Sequence, residues 1–132
     1  MSRRTRQPCY LAGAPEHPRV TLTQLEAYGL TLAIEATVAA ALGRALKLDP
    51  RACALAAVVG STITHPTLWA IYRSAQEYLG AQTTPVLEGL IMAAEAIAYR
   101  AIATKRWPQA ALLSVIANGA SWGAGELIYA LS

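Results

Sequence analysis

Between residues 52 and 72 the chain reads ACALAAVVGSTITHPTLWAIY, without a single Asp, Glu, Lys or Arg. At ~1.5 Å per residue, a helix of that length covers roughly 30 Å, the hydrocarbon thickness of a bilayer. A soluble amphipathic helix would show charge on its outer face every turn, so this stretch predicts a membrane-spanning helix rather than the buried helix of a soluble, Ala-rich bundle. Residues 107–125 are also free of formal charge, and apolar residues continue past Glu126. Two more stretches complete the set. Residues 23–43 carry only Glu26 and Glu35, and residues 85–104 carry Glu88, Glu95 and Arg100 among Val, Leu, Ile, Met and Ala. No sustained period-two alternation predicts a strand.

The punctuation fits four helices, near 23–46, 52–74, 85–104 and 108–131. Asp49 and Pro50 precede the second, Gly80 to Pro85 break the chain before the third, and Trp107 with Pro108 opens the fourth. Residues 1–20, with Arg3, Arg4, Arg6 and Arg19, read as an extended basic tail and not as a signal peptide, because no apolar run follows the basic start until after residue 20. Residues 21–132 form the four-helix transmembrane domain. The expected fold class is therefore all-α, an integral membrane four-helix bundle.

The halves of that domain rhyme. Leu25-Glu26 and Leu87-Glu88 open the first and third segments, and Glu35-Ala36 and Glu95-Ala96 fall near their middles. Gly60 to Pro66 and Ala117 to Gly123 are each a small, polar patch inside an apolar helix. The pattern reads as a duplicated two-helix hairpin, whose pseudo-twofold axis would run along the membrane normal.

Composition excludes more than it assigns. At 132 residues, 55% apolar and 14% charged, with two cysteines, the chain is no disordered segment, disulfide scaffold or multidomain enzyme. A net charge of +3, with the basic residues scattered, argues against nucleic acid as a partner. Cys9 and Cys53 fall on opposite faces of any four-crossing topology and are not expected to pair. Arg44, Lys47, Arg51, Arg100, Lys105 and Arg106 cluster in or beside the first and third connections, whereas the second holds Arg73 alone. By the basic-loop rule those two connections face the cytoplasm, against the opposing vote of the tail arginines. The expected location is the bacterial inner (cytoplasmic) membrane.

Polar residues recur at one depth. Glu35, His65, Glu95 and Asn118 lie within about three residues of their segments' midpoints, so within roughly 5 Å of the bilayer midplane. A charge there is costly, so such groups face a bundle interior, pair with one another, or stay protonated. Two carboxyls so placed are suited to take up and release a proton, with His65 able to hydrogen-bond one of them. Pro66 frees the carbonyl of Thr62, as in the interrupted helices that line ion sites. Glu26, Glu88 and Glu126 share a level nearer the tail side and read as an acidic mouth. Asn118, Ser114, Ser121 and the Gly119-x-x-x-Gly123 pair also read as helix-packing contacts, and Trp69 as a packing residue.

The function these features favour is a proton- or cation-coupled transporter or channel component, assembled as a homo-oligomer because four short helices can hardly enclose a pathway. The alternative is an accessory subunit of a larger membrane complex for electron transfer or light harvesting, with His65 as a cofactor ligand. A haem held by two midplane histidines of this chain is excluded, since the other histidine is His17 in the tail. The residues name neither a metal nor a cofactor. An intramembrane hydrolase is disfavoured for want of a matching motif.

Overall fold

Thr23 and Glu26 begin the described chain by capping one another. The Thr23 amide donates to Glu26 Oε2 at 2.8 Å and the Glu26 amide to Thr23 Oγ1 at 3.3 Å, a reciprocal box that starts helix α1, Gln24–Ala45. The computed structural model describes residues 23–131; the basic tail expected over 1–20, with Cys9 and His17, lies outside the described residues. Asp49 caps the next helix by accepting the Arg51 amide at 2.9 Å, and Pro50 takes its first position, so α2 runs Pro50–Leu79. A 3-10 turn at Gly80–Gln82 leads into α3, Thr83–Ile102, and α4 follows at Trp107–Ala130. Among the described residues the chain is all-helical.

Three details differ from the sequence pattern. The helix expected over 52–74 extends to Leu79, ended by Gly80, whose φ of 54° an L side chain rarely adopts. The break expected between Gly80 and Pro85 shrinks to one 3-10 turn, because Pro85 sits in the first turn of α3, where a missing amide leaves no bond unmade. Pro66 does not interrupt α2, which passes through it as continuous helix.

The helices close a cycle. α1 packs on α2 and α4, α3 packs on the same two, and α2 barely touches α4. The core sits toward the end that holds the first and third connections: Ala39, Cys53, Ala56, Ala57, Tyr99, Ala110 and Leu113, with Leu42, Leu46, Leu48 and Ala103 packed against them. Past Ser61 in α2 and past Asn118 in α4 neither helix buries another residue, and only α3 keeps buried positions in the other half, at Thr83, Leu87 and Ile91. The five buried positions of α2, Cys53, Ala56, Ala57, Gly60 and Ser61, recur in order and at identical spacing in α4 as Ala110, Leu113, Ser114, Ala117 and Asn118. Glu35 and Ala39 of α1 recur likewise as Glu95 and Tyr99 of α3.

Small residues set the approach of α1 to α2. A Cβ added at Gly43 would lie 2.5 Å from Cys53 Sγ and 3.0 Å from its Cβ, so the two helices meet there without room for a methyl group. Gly43→Ala is expected to lower stability by about 1–3 kcal/mol in thermal unfolding. Adding Cys53→Ala should restore most of that loss, and a purely additive double variant would show that the two residues do not share this contact.

Candidate functional site

Glu35 and Glu95 are fully buried, at 1% and 0% exposure, and each carboxyl is held from two helices. Glu35 on α1 accepts from Ser61 Oγ of α2 at Oε2 and from Ser121 Oγ of α4 at Oε1, the latter at 2.7 Å. Glu95 on α3 accepts from Asn118 Nδ2 of α4 at 2.7 Å and from Thr64 Oγ1 of α2 at 2.8 Å. A second bond from Asn118 Nδ2 to the Ser114 carbonyl, at 3.0 Å, turns the amide's nitrogen side toward the carboxyl. Ser114 in turn donates its hydroxyl to the Met92 carbonyl at 2.7 Å, tying α4 to α3 beside the site.

The arrangement has twofold form. Each glutamate bonds the helix that follows it in the chain and one helix of the other hairpin. Ser61 and Thr64 on α2 are three apart, as are Asn118 and Ser121 on α4; the first of each pair serves the nearer glutamate in sequence and the second the other.

Hydrogen counting separates the two carboxyls. The Ser61 hydroxyl faces Glu35 and the Ala57 carbonyl at 2.9 Å, and the Ser121 hydroxyl faces Glu35 and the Asn118 carbonyl at 3.0 Å. Two hydrogens therefore meet four acceptors around Glu35, and a proton on Oε2 would donate to Ser61 and release the Ser61 hydrogen to Ala57. Glu95 instead meets an amide nitrogen with two hydrogens and a threonine hydroxyl. A proton thus has a ready place on Glu35, while Glu95 is furnished as an acceptor. Gly60 lets α2 come close: a Cβ there would lie 3.0 Å from Glu95 Cγ.

The other expected site residues separate by face. His65 is half-buried and packs with Tyr28 and Trp69, at ring-centroid distances of 5.8 and 6.2 Å, within electrostatic reach of Glu95. It is Thr64, one residue earlier, that bonds the carboxyl. Tyr28 and Trp69 stand 5.9 Å apart in edge contact, so Trp69 closes an aromatic trio. Of the acids expected to form one mouth, Glu26 is engaged in the α1 cap and Glu126 accepts from Trp122 Nε1 at 3.2 Å on an exposed turn of α4. Glu88 alone, half-buried one face-repeat before Glu95, feels the charges of both Glu35 and Glu95. Gly119 and Gly123, expected as packing glycines, face open space: an added Cβ would meet nothing within 4 Å at either, because both lie off the face of α4 that carries Asn118 and Ser121 to the glutamates.

Ser61, Thr64 and Ser121 are the partners that the sequence left without a role in the site, although all three lie in the matching polar patches. Tyr99 adds a fully buried hydroxyl without a hydrogen-bond partner, within electrostatic reach of both glutamates and of Cys53. No group of three or more His, Cys, Asp or Glu that could hold a metal occurs among the described residues. Compared with protein-family models, curated proteins and solved structures, the chain matches none.

If the Asn118 bond to Glu95 holds α4 against α3, Asn118→Leu should cost about 1–3 kcal/mol in thermal unfolding, the cost of a buried acceptor left unmatched. In a Glu95→Leu background the same change should cost markedly less. Equal costs in the two backgrounds would show that the bond contributes nothing.

Proposed function

We propose that the chain is an integral membrane four-helix bundle built from a duplicated helical hairpin, and that Glu35 and Glu95 form the proton-binding centre of a small transporter or channel component. The observation that carries this reading is the pair itself: two fully buried carboxyls, each bridged from two helices in the same twofold pattern. All four carboxyl oxygens already face protein donors, which suits a proton better than a cation needing several oxygens from the same pair.

The membrane placement rests on the outward faces. Leu25 of α1, Ile63 of α2, Leu90 of α3 and Leu127 of α4 are 76, 65, 61 and 59% exposed, so apolar side chains point away from the chain on every helix. By length and composition, two helical stretches could cross a membrane, Gln24–Ala45 and Pro50–Ile102. α4 is diluted by Gln109, Asn118 and its Ser and Gly positions and falls outside that set; in this reading it crosses as the partner of the others.

Within the pair Glu35 stores the proton, Glu95 exchanges it, and Glu88 is the group of approach from the end where the helices bury least. Among the described residues, the titratable groups within electrostatic reach of the pair are Glu88 and Tyr99 from α3 and His65 from α2; the α4 side chains that meet it are an amide and a hydroxyl. A second reading, an accessory subunit of a larger membrane complex, is favoured by the open face at Gly119 and Gly123, which no helix of the same chain covers.

Proton flux into vesicles, driven by an imposed potential and followed with an enclosed pH dye, tests the reading. The parent should acidify the lumen faster than protein-free vesicles, Glu95→Gln should fall to the protein-free rate, and Glu88→Gln should be slowed without being abolished. A parent no faster than empty vesicles would overturn the proton reading and leave the subunit reading standing.

A further inference from the structure

At the opposite end from Glu88, the first and third connections line an open pocket of about 390 Å³ between the end of α1, the end of α3 and the start of α4. We propose that this pocket binds a phosphate group, and that the phosphate is the headgroup diester of an anionic phospholipid. The phosphate chemistry stands independently of the carboxyl pair; the lipid source rests on the membrane placement proposed above.

Charge comes first. Lys47, Lys105 and Arg106 line the pocket, and Arg44, Arg51 and Arg100 are not among its lining residues. Among the described residues the acid at this end is Asp49, whose Oδ1 accepts the Arg51 amide, and one carboxylate against three basic lining residues leaves the balance positive. A charge cluster of this kind at a helix-connection end attracts anionic headgroups, and a basic pocket between helices seats them.

Geometry makes the cluster a site. Lys47 holds a positive φ of 59°, a conformation uncommon for a residue with a Cβ, and the bonds from the Lys47 amide to the Arg44 carbonyl at 3.1 Å and from the Leu48 amide to the Gly43 carbonyl at 2.8 Å fix it there. On the far wall, Thr104 Oγ1 accepts the Arg106 amide at 3.2 Å and donates to Gln109 Oε1 at 2.7 Å, which sets Arg106 and Gln109 on one rim. No side chain caps the first turn of α4, so its positive end is available to an anion on that rim. The Arg100 guanidinium lies 5.7 Å from the centre of the Trp107 ring, and its buried Nε has no hydrogen-bond partner. Leu46, Leu48 and Ile102 line the same pocket, so apolar side chains for a glycerol and acyl stem accompany the basic ones for phosphate.

The test is titration of the purified chain in uncharged detergent micelles with phosphatidylglycerol, counting bound lipid by native mass spectrometry. Phosphatidylcholine is the zwitterionic control, and inorganic phosphate is titrated separately. Two double variants remove equal charge: Lys47→Gln with Lys105→Gln inside the pocket, and Arg44→Gln with Arg51→Gln outside it. The expected result is one phosphatidylglycerol per chain, bound more tightly than phosphatidylcholine and weakened about thirtyfold by the pocket variant while the outer variant retains it. Pocket-dependent binding of inorganic phosphate without phosphatidylglycerol would keep the phosphate site and assign it a free ligand. Equal loss in both double variants, equal binding of the two lipids, or no binding of either lipid or phosphate would overturn the proposal.

Discussion

A carboxyl group with no water around it must be met by donors or hold its own proton, and in this chain that demand falls twice, at Glu35 and Glu95. Meeting it draws in all four helices, since each glutamate takes one partner from α2 and one from α4. The cyclic packing follows the same plan: α1 and α3 never need to touch, because α2 and α4 reach both of them. An unmatched buried donor or acceptor costs about 1–3 kcal/mol, so a slip of one helix by a single turn would unmake more than one bond of the set.

The remaining packing accommodates those bonds. Gly60 is small where α2 passes Glu95, and Gly43 is small where α1 passes Cys53. Alanines fill most of the shared core, which brings backbones close and leaves the larger side chains, Tyr99 and Leu113, as its bulk. Many leucines and isoleucines, Leu25, Ile63, Leu90 and Leu127 among them, are turned outward, so apolar side chains cover the flanks while the two carboxyls and their partners occupy the middle.

How much of this could be read from the residues follows from what a one-dimensional pattern encodes. Absence of charge over 52–72 located the core of α2, and the shared depth of Glu35, Glu95 and Asn118 picked out three residues that the structure brings together. Depth, however, is not direction. Thr64 and His65 differ by one residue and hence by about 100° around a helix, which is enough to give Thr64 the carboxyl and to leave His65 among aromatic rings. The same ambiguity grouped Glu26, Glu88 and Glu126 as one mouth, although Glu26 serves the α1 cap, Glu126 meets Trp122, and Glu88 is the one that feels the charges of the pair. Gly119 and Gly123 carry a spacing common at helix contacts, yet that spacing says nothing of whether a neighbour is present, and they lie off the face of α4 that Asn118 and Ser121 turn to the glutamates. Pro66 was legible as a lost amide and not as a continuous helix, because neighbouring turns can hold a helix straight through one missing bond.

The match between the two halves is one of position and not of chemistry. Where α2 offers a serine, α4 offers an asparagine; where α2 offers a threonine, α4 offers a serine; and His65-Pro66 answers to Trp122-Gly123. Two identical hairpins brought together would present twin acids with equal claims on any proton between them, and neither would have reason to yield. With both halves on one polypeptide each acid has its own neighbours, two serine hydroxyls around Glu35 and an amide with a threonine hydroxyl around Glu95. In the proton-binding reading proposed above, inequality of that sort lets one acid hold a proton more firmly than the other, a difference that two identical hairpins could not supply.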